Sequence, residues 1–123
     1  AEYLEQHELV EWVSYAGLPS HADHALAQDM MGGRASGILS FGIKGGIAAG
    51  TNVIDALQLV VRLVNIGDAK SLACHPASTT HRQLGPDELA AAGVSEDLVR
   101  LSIGIEHIDD ILADLEQALA AAG

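Results

Sequence analysis

The chain has 123 residues, 49% of them hydrophobic and 3% aromatic, with one cysteine and a formal net charge of −11 at pH 7. That length suits a single domain with its own core, and the apolar share excludes a disordered chain. The surplus of carboxylates argues against nucleic acid and anionic membrane surfaces as partners, and much of it, as at Asp109, Asp110, Asp114 and Glu116, is expected on solvated helix faces. Cys74 has no second cysteine to pair with, no apolar run is long enough to span a bilayer, and no signal pattern opens the chain; a cytoplasmic protein is expected. Ala1 is not an initiator methionine, and "AEYLEQHELV" begins with a helical pattern already under way, so a piece of a longer protein is expected.

Residues 1–8 read as the tail of a helix, and "VEWVSY" (10–15), β-branched and aromatic, as a strand. Ser20 is placed to cap a helix through "HADHALAQDMM", which Gly32 and Gly33 end. "SGILSFGI" (36–43) alternates, with Leu39, Phe41 and Ile43 on one face and Ser40 and Gly42 on the other. "KGGIAAG" turns the chain into "NVIDALQLVVRLV", apolar almost all round and expected as a buried helix. "NIGDA" reads as a turn, "SLACH" as a short strand, and 76–85 as an irregular loop. Pro86 suits the first turn of "PDELAAAG", with acidic residues at its N-terminus and Gly93 to stop it. "LVRLSIGI" (98–105) alternates again. "IDDILADLEQALAAA" then places Ile108, Ile111, Leu112, Leu115 and Leu119 on one stripe.

These elements predict an α/β domain, an α+β sandwich: a mainly antiparallel four-stranded sheet with helices on one face. The opposite face would carry Leu98, Arg100, Ser102, Gly104, Ser40 and Gly42. Small residues with one arginine make a poor core. Such a face either receives another domain or a ligand, or it meets water.

"SLACHPASTTHRQL" (71–84) concentrates the chemistry-bearing side chains. His21 and His24 are three apart on the predicted helix, and His75 and His81 flank the loop. No zinc-binding or metalloprotease spacing joins them, so no metal site is expected. Cys74 falls at a strand position, where a small buried thiol fits better than a nucleophile. "GIKGGIAAG" matches neither phosphate-loop nor dinucleotide spacing, and turn chemistry explains its glycines as well. Arg100 stands out in an apolar alternating strand. A covered guanidinium needs an anion: a ligand carboxylate held bidentately, or an internal salt bridge with one of the 17 acidic residues.

"VEWVSYAGLPSH", "SFGIKGG", "NIGDAKSLACHPASTTHRQL" and "GVSEDLVRLSIGIEHIDDILADLEQAL" resemble the C-terminal part of the Cys/Met-metabolism family of pyridoxal-phosphate (PLP) enzymes. The likeness covers the whole chain and is nearest to the O-acetylhomoserine sulfhydrylase (aminocarboxypropyltransferase) branch. It implies a fold-type I enzyme, a homotetramer, that makes homocysteine from O-acetylhomoserine and sulfide by γ-replacement. Residues 1–123 would be its C-terminal substrate-binding domain. By the same resemblance Arg100 binds the substrate α-carboxylate, Asn65 lies near it where many γ-lyases and synthases carry serine, and Ser78, Thr79 and Thr80 line the active-site mouth. Asn65, and Lys70 where lyases often have glutamate, favour the sulfhydrylase over cystathionine γ-synthase or methionine γ-lyase relatives. A plain surface loop remains the alternative for 76–85, whose path Pro76 fixes.

In that family a Schiff-base lysine and a stacked aromatic in a large N-terminal domain hold the cofactor. The lysines here, Lys44 and Lys70, stand outside that motif. Catalytic and cofactor-binding residues are therefore not expected in this chain, PLP belongs to the full-length enzyme, and the piece alone is expected to be inactive. Two other readings stand beside this one: a standalone amino-acid-binding module that keeps the carboxylate arginine, and, more weakly, a metal-dependent hydrolase using His21, His24, His75 and His81.

Overall fold

The computed structural model describes residues 1–122, Pro86 by its backbone alone. Period-two alternation places the core. In β2 (Ile38–Ile43) and β5 (Leu98–Ser102), Leu39, Phe41, Ile43, Val99 and Leu101 are all buried. β2 pairs antiparallel with both β1 (Val10–Ser14) and β5, and β5 pairs antiparallel with β4 (Leu72–Cys74). The core face is closed by α1 (Glu2–Glu5), α3 (Gly46–Ala56) and α5 (Ile108–Ala120) through Leu4, Val53, Ile54, Ile111, Leu115 and Leu119. Two further helices, α2 (His24–Met30) and α4 (Pro86–Ala91), and a 3-10 turn (Pro76–Ser78) occupy the connections.

The sheet has five strands, not four, in the order β1-β2-β5-β4-β3. The addition is β3 (Val61–Arg62), which runs parallel to β4 at the sheet edge. It comes from the segment expected as one long helix. α3 instead begins within the glycine-rich run, at Gly46, and stops at Ala56; Leu57 is already extended, with ψ 136°. Beyond it the carboxylate of Asp114 in α5 accepts the backbone N–H groups of Gln58, Leu59 and Val60 at 2.8, 2.9 and 2.8 Å. Those donors leave the helical ladder for a side chain. An unbroken apolar run cannot by itself distinguish a buried helix from an extended segment.

Other boundaries move for local reasons. α2 starts at His24, after turns, and the Ser20 hydroxyl donates to Glu5 instead of capping it. β5 ends at Ser102, leaving Ile105 86% exposed where continued alternation would bury it.

The face of small residues is covered largely by the chain itself. The Trp12 indole donates to Asp97 at 2.7 Å across Gly42, and Gly67 N–H donates to the Ser102 hydroxyl at 3.1 Å. The backbone at Ala69–Lys70 presses on Gly104, where a Cβ would lie 2.3 Å from the Ala69 carbonyl oxygen.

His75 is fully buried against α3, and a Cβ on Gly50 would come within 2.4 Å of its Nε2. That nitrogen must donate to the Glu96 carbonyl at 2.8 Å, so the ring is not free to retreat. Gly50→Ala is therefore expected to cost about 1–3 kcal/mol through overpacking. The measurement is the melting midpoint of the variant, and an unchanged midpoint would show that the ring can move aside.

Candidate functional site

Arg100 occupies the centre of β5, between Ser40 of β2 and Cys74 of β4, on the face away from the main core. It is half-buried, and its Nη2 donates to the backbone carbonyl of Val64. Among the described residues Arg62 pairs with Asp55 at 3.0 Å, and His107 Nδ1 lies 3.6 Å from the Asp109 carboxylate. Neither involves Arg100. Of the two anions open to it in the sequence, an internal carboxylate is not the one it meets among the described residues. A carbonyl oxygen engages one edge of the guanidinium and leaves its positive charge uncompensated.

Val64 belongs to an exposed strap, residues 63–70, that joins β3 to β4 and carries Asn65 as its next residue. Arg62, Leu63, Val64, Cys74, Thr79 and Thr80 line a cavity of about 320 Å³, and Arg100, Asn65 and Ser78 are not part of that lining. Strand and loop thus bring two of the three expected hydroxyl residues to the cavity whose wall includes Val64. The Thr79 hydroxyl donates to the His75 carbonyl at 2.8 Å, and the exposed Thr80 hydroxyl pairs with His81 Nδ1 at 2.8 Å. Ser78 is turned to His75. His75 Nε2 donates to the Glu96 carbonyl, and the Ser78 hydroxyl lies 2.9 Å from Nδ1 and 3.3 Å from the His75 carbonyl.

The Cys74 thiol is pushed up by burial, and the nearby charge of Arg100 offsets only part of that. It stays protonated near neutrality, which suits a wall and not a nucleophile. The histidines find separate partners. His21 Nδ1 accepts from Asp23 N–H at 3.1 Å, His24 Nδ1 lies 3.0 Å from the Ala16 carbonyl, and His75 and His81 are engaged as described.

The chain's lysines lie outside the lining of this cavity. Lys44 Nζ donates to the Glu8 carbonyl at 2.6 Å, and Lys70 sits on the strap with its own N–H given to Asp68.

Sequence reasoning missed the two carboxylates that hold the strap. Asp114 grips the segment before it. Glu106 grips the segment after it, accepting Ser71 N–H at 2.6 Å and the Ser71 hydroxyl at 2.7 Å. These bonds hold the Glu106 carboxyl below its usual range. Asp114 is not on a solvated face as expected: it stands three residues after Ile111 and four before Ala118, on the buried stripe of α5, and is 6% exposed. A carboxylate at such a position needs donors.

Known proteins share this chain's sequence and fold. It is 52% identical over 122 residues to a homocysteine synthase of Schizosaccharomyces pombe, covering 99% of this chain and 28% of that protein. It is 49% identical over 120 residues to an O-acetyl-L-homoserine sulfhydrylase of Thermus thermophilus, covering 98% of this chain and 28% of that one. An L-methionine gamma-lyase of Pseudomonas putida is 50% identical over 122 residues, with 99% of this chain and 30% of the relative covered. The chain thus spans less than a third of the length of these relatives. A crystal structure from Campylobacter jejuni, described as an O-acetylhomoserine (thiol)-lyase with a pyridoxyl-lysine phosphate, superposes with a TM-score of 0.88 at 43% identity. It covers 98% of this chain and 28% of that one. The family described as Cys/Met metabolism PLP-dependent enzyme matches residues 1–120. The chain belongs to that family.

Proposed function

We propose that residues 1–123 are the C-terminal substrate-binding domain of a PLP-dependent O-acetylhomoserine sulfhydrylase. In the reaction a C–S bond forms at the γ-carbon of O-acetylhomoserine and the C–O bond to acetate breaks, so hydrosulfide and the ester give homocysteine and acetate. The observation that carries this reading is Arg100: a mid-strand guanidinium whose partner among the described residues is a carbonyl, on the strand beside the cavity that Cys74, Thr79 and Thr80 line. Its fork suits a bidentate α-carboxylate, which would fix the amino acid's orientation. Asn65 follows the residue whose carbonyl Arg100 holds, and Thr79 and Thr80 line the cavity, while Ser78 is turned to His75. PLP, when bound, supplies the electron sink for γ-replacement. On this reading its anchoring lysine belongs to a part of the protein outside this chain. The full-length protein is read as a cytoplasmic homotetramer.

The 50% identity to a methionine gamma-lyase supports a second reading, γ-elimination without sulfide. One experiment separates them. The full-length protein, supplied with O-acetylhomoserine and sulfide, is expected to form homocysteine, and with methionine alone to release little methanethiol. The reverse pattern would favour the lyase. The chain by itself, incubated with PLP and borohydride, is expected to take no label on Lys44 or Lys70; label on either would overturn the division of labour.

A further inference from the structure

The strap over Arg100 is fastened by the residues that follow Arg100 in sequence. Residues 61–70 are exposed throughout, so packing alone does not fix their path. Hydrogen bonds do. Gly67 N–H reaches the Ser102 hydroxyl at 3.1 Å, and Ile105 N–H reaches the Ala69 carbonyl at 3.0 Å. Ser71, fully buried, receives Gly104 N–H on its hydroxyl oxygen at 2.9 Å. Glu106 then takes both protons that Ser71 can offer, one on each carboxylate oxygen. A charged acceptor makes these the strongest bonds at that root.

We infer that Glu106 is a positioning residue for the carboxylate site: it locks the far root of the 63–70 strap to the end of β5, so that the Val64 carbonyl and Asn65 are held at Arg100. The inference rests on the reading of Arg100 as the substrate's carboxylate anchor. Glu106 itself touches Ser71 and not the cavity wall. Its effect on substrate must therefore pass through the strap. Losing the lock lets the Val64 carbonyl drift, and with it the orientation of the guanidinium that it holds.

The test uses the full-length enzyme with Glu106→Gln beside Arg100→Lys. Glutamine keeps one acceptor oxygen and places an amide where the second proton was received, so the lock is half lost without changing side-chain length. Glu106→Gln is expected to raise KM for O-acetylhomoserine about ten- to a hundredfold, as a small misplacement of a positioning group does. The KM for sulfide and kcat should stay within about twofold of wild type. A lower melting midpoint with wild-type KM for the amino acid would make Glu106 merely structural and overturn the inference. Should Glu106→Gln fail to accumulate, Ser71→Ala removes the hydroxyl's bond to Glu106, together with the one it accepts from Gly104 N–H, and reads the same quantity. A raised KM there supports the lock, and an unchanged one overturns it. Arg100→Lys with unchanged KM would sink the carboxylate reading, whatever Glu106→Gln does.

Discussion

Arg100→Ala in the full-length enzyme is expected to lower kcat/KM for O-acetylhomoserine about ten- to a hundredfold, the equivalent of about 1.5–3 kcal/mol for a lost charge-assisted contact. Stability should change far less. Among the described residues Arg100 meets the Val64 carbonyl and no carboxylate, so its removal strands no buried anion. Cys74 and Ser40 flank it across the sheet, and neither needs its charge to stay satisfied. Arg100→Lys should recover only part of the loss, because an ammonium cannot hold Val64 and present a planar fork to a carboxylate together. Melting midpoints and kcat/KM of both variants decide the matter. If both melt early yet keep wild-type kinetics at low temperature, Arg100 serves the fold and not the substrate.

The elements legible in the sequence are those whose burial follows one period. Leu39, Phe41 and Ile43, and Val99 and Leu101, mark their strands because one face is dry and the other is not. The α5 stripe is legible for the same reason at Ile111, Leu115 and Leu119, whereas Leu112 is half-buried and Ile108, at the helix start, is 58% exposed. The stretch 57–64 was not legible. Its apolar residues do not alternate, because Val60 turns inward while Leu59, Val61, Leu63 and Val64 stay exposed. What holds it extended is a carboxylate more than fifty residues away. No local window contains that information. The site shows the same division. Arg100 was visible as a charge out of pattern, whereas its carbonyl partner is a backbone atom that no sequence motif encodes. Sequence pattern alone does not choose between an internal and an external anion for Arg100.

Asp114→Asn is expected to be the most destabilising single change among the polar residues, by about 2–4 kcal/mol at neutral pH, because it degrades several hydrogen bonds to one charged acceptor. The carboxylate serves Gln58, Leu59 and Val60 N–H and also the Gln117 amide at 3.0 Å. Asparagine offers one carbonyl oxygen and turns an NH2 group towards donors. Val60 N–H, in a buried residue, has no water to fall back on. The pH dependence follows from the same bonds. Burial alone would raise the Asp114 pKa, but the three backbone donors and Gln117 outweigh it and hold the carboxyl below its usual value. A group whose folded pKa is depressed stabilises the fold above its unfolded pKa, here about 3.9, and loses that contribution as pH falls through the folded value. Wild-type stability should therefore drop steeply below about pH 4, with Glu106 adding to the fall because its pKa is lowered too. In Asp114→Asn the Asp114 share of the drop is missing. The gap between wild type and variant in urea unfolding should be widest near neutrality and close on acidification. A gap that stays constant with pH would mean that the ionised carboxylate is not what holds residues 58–60, and that chain geometry alone ends α3 at Ala56.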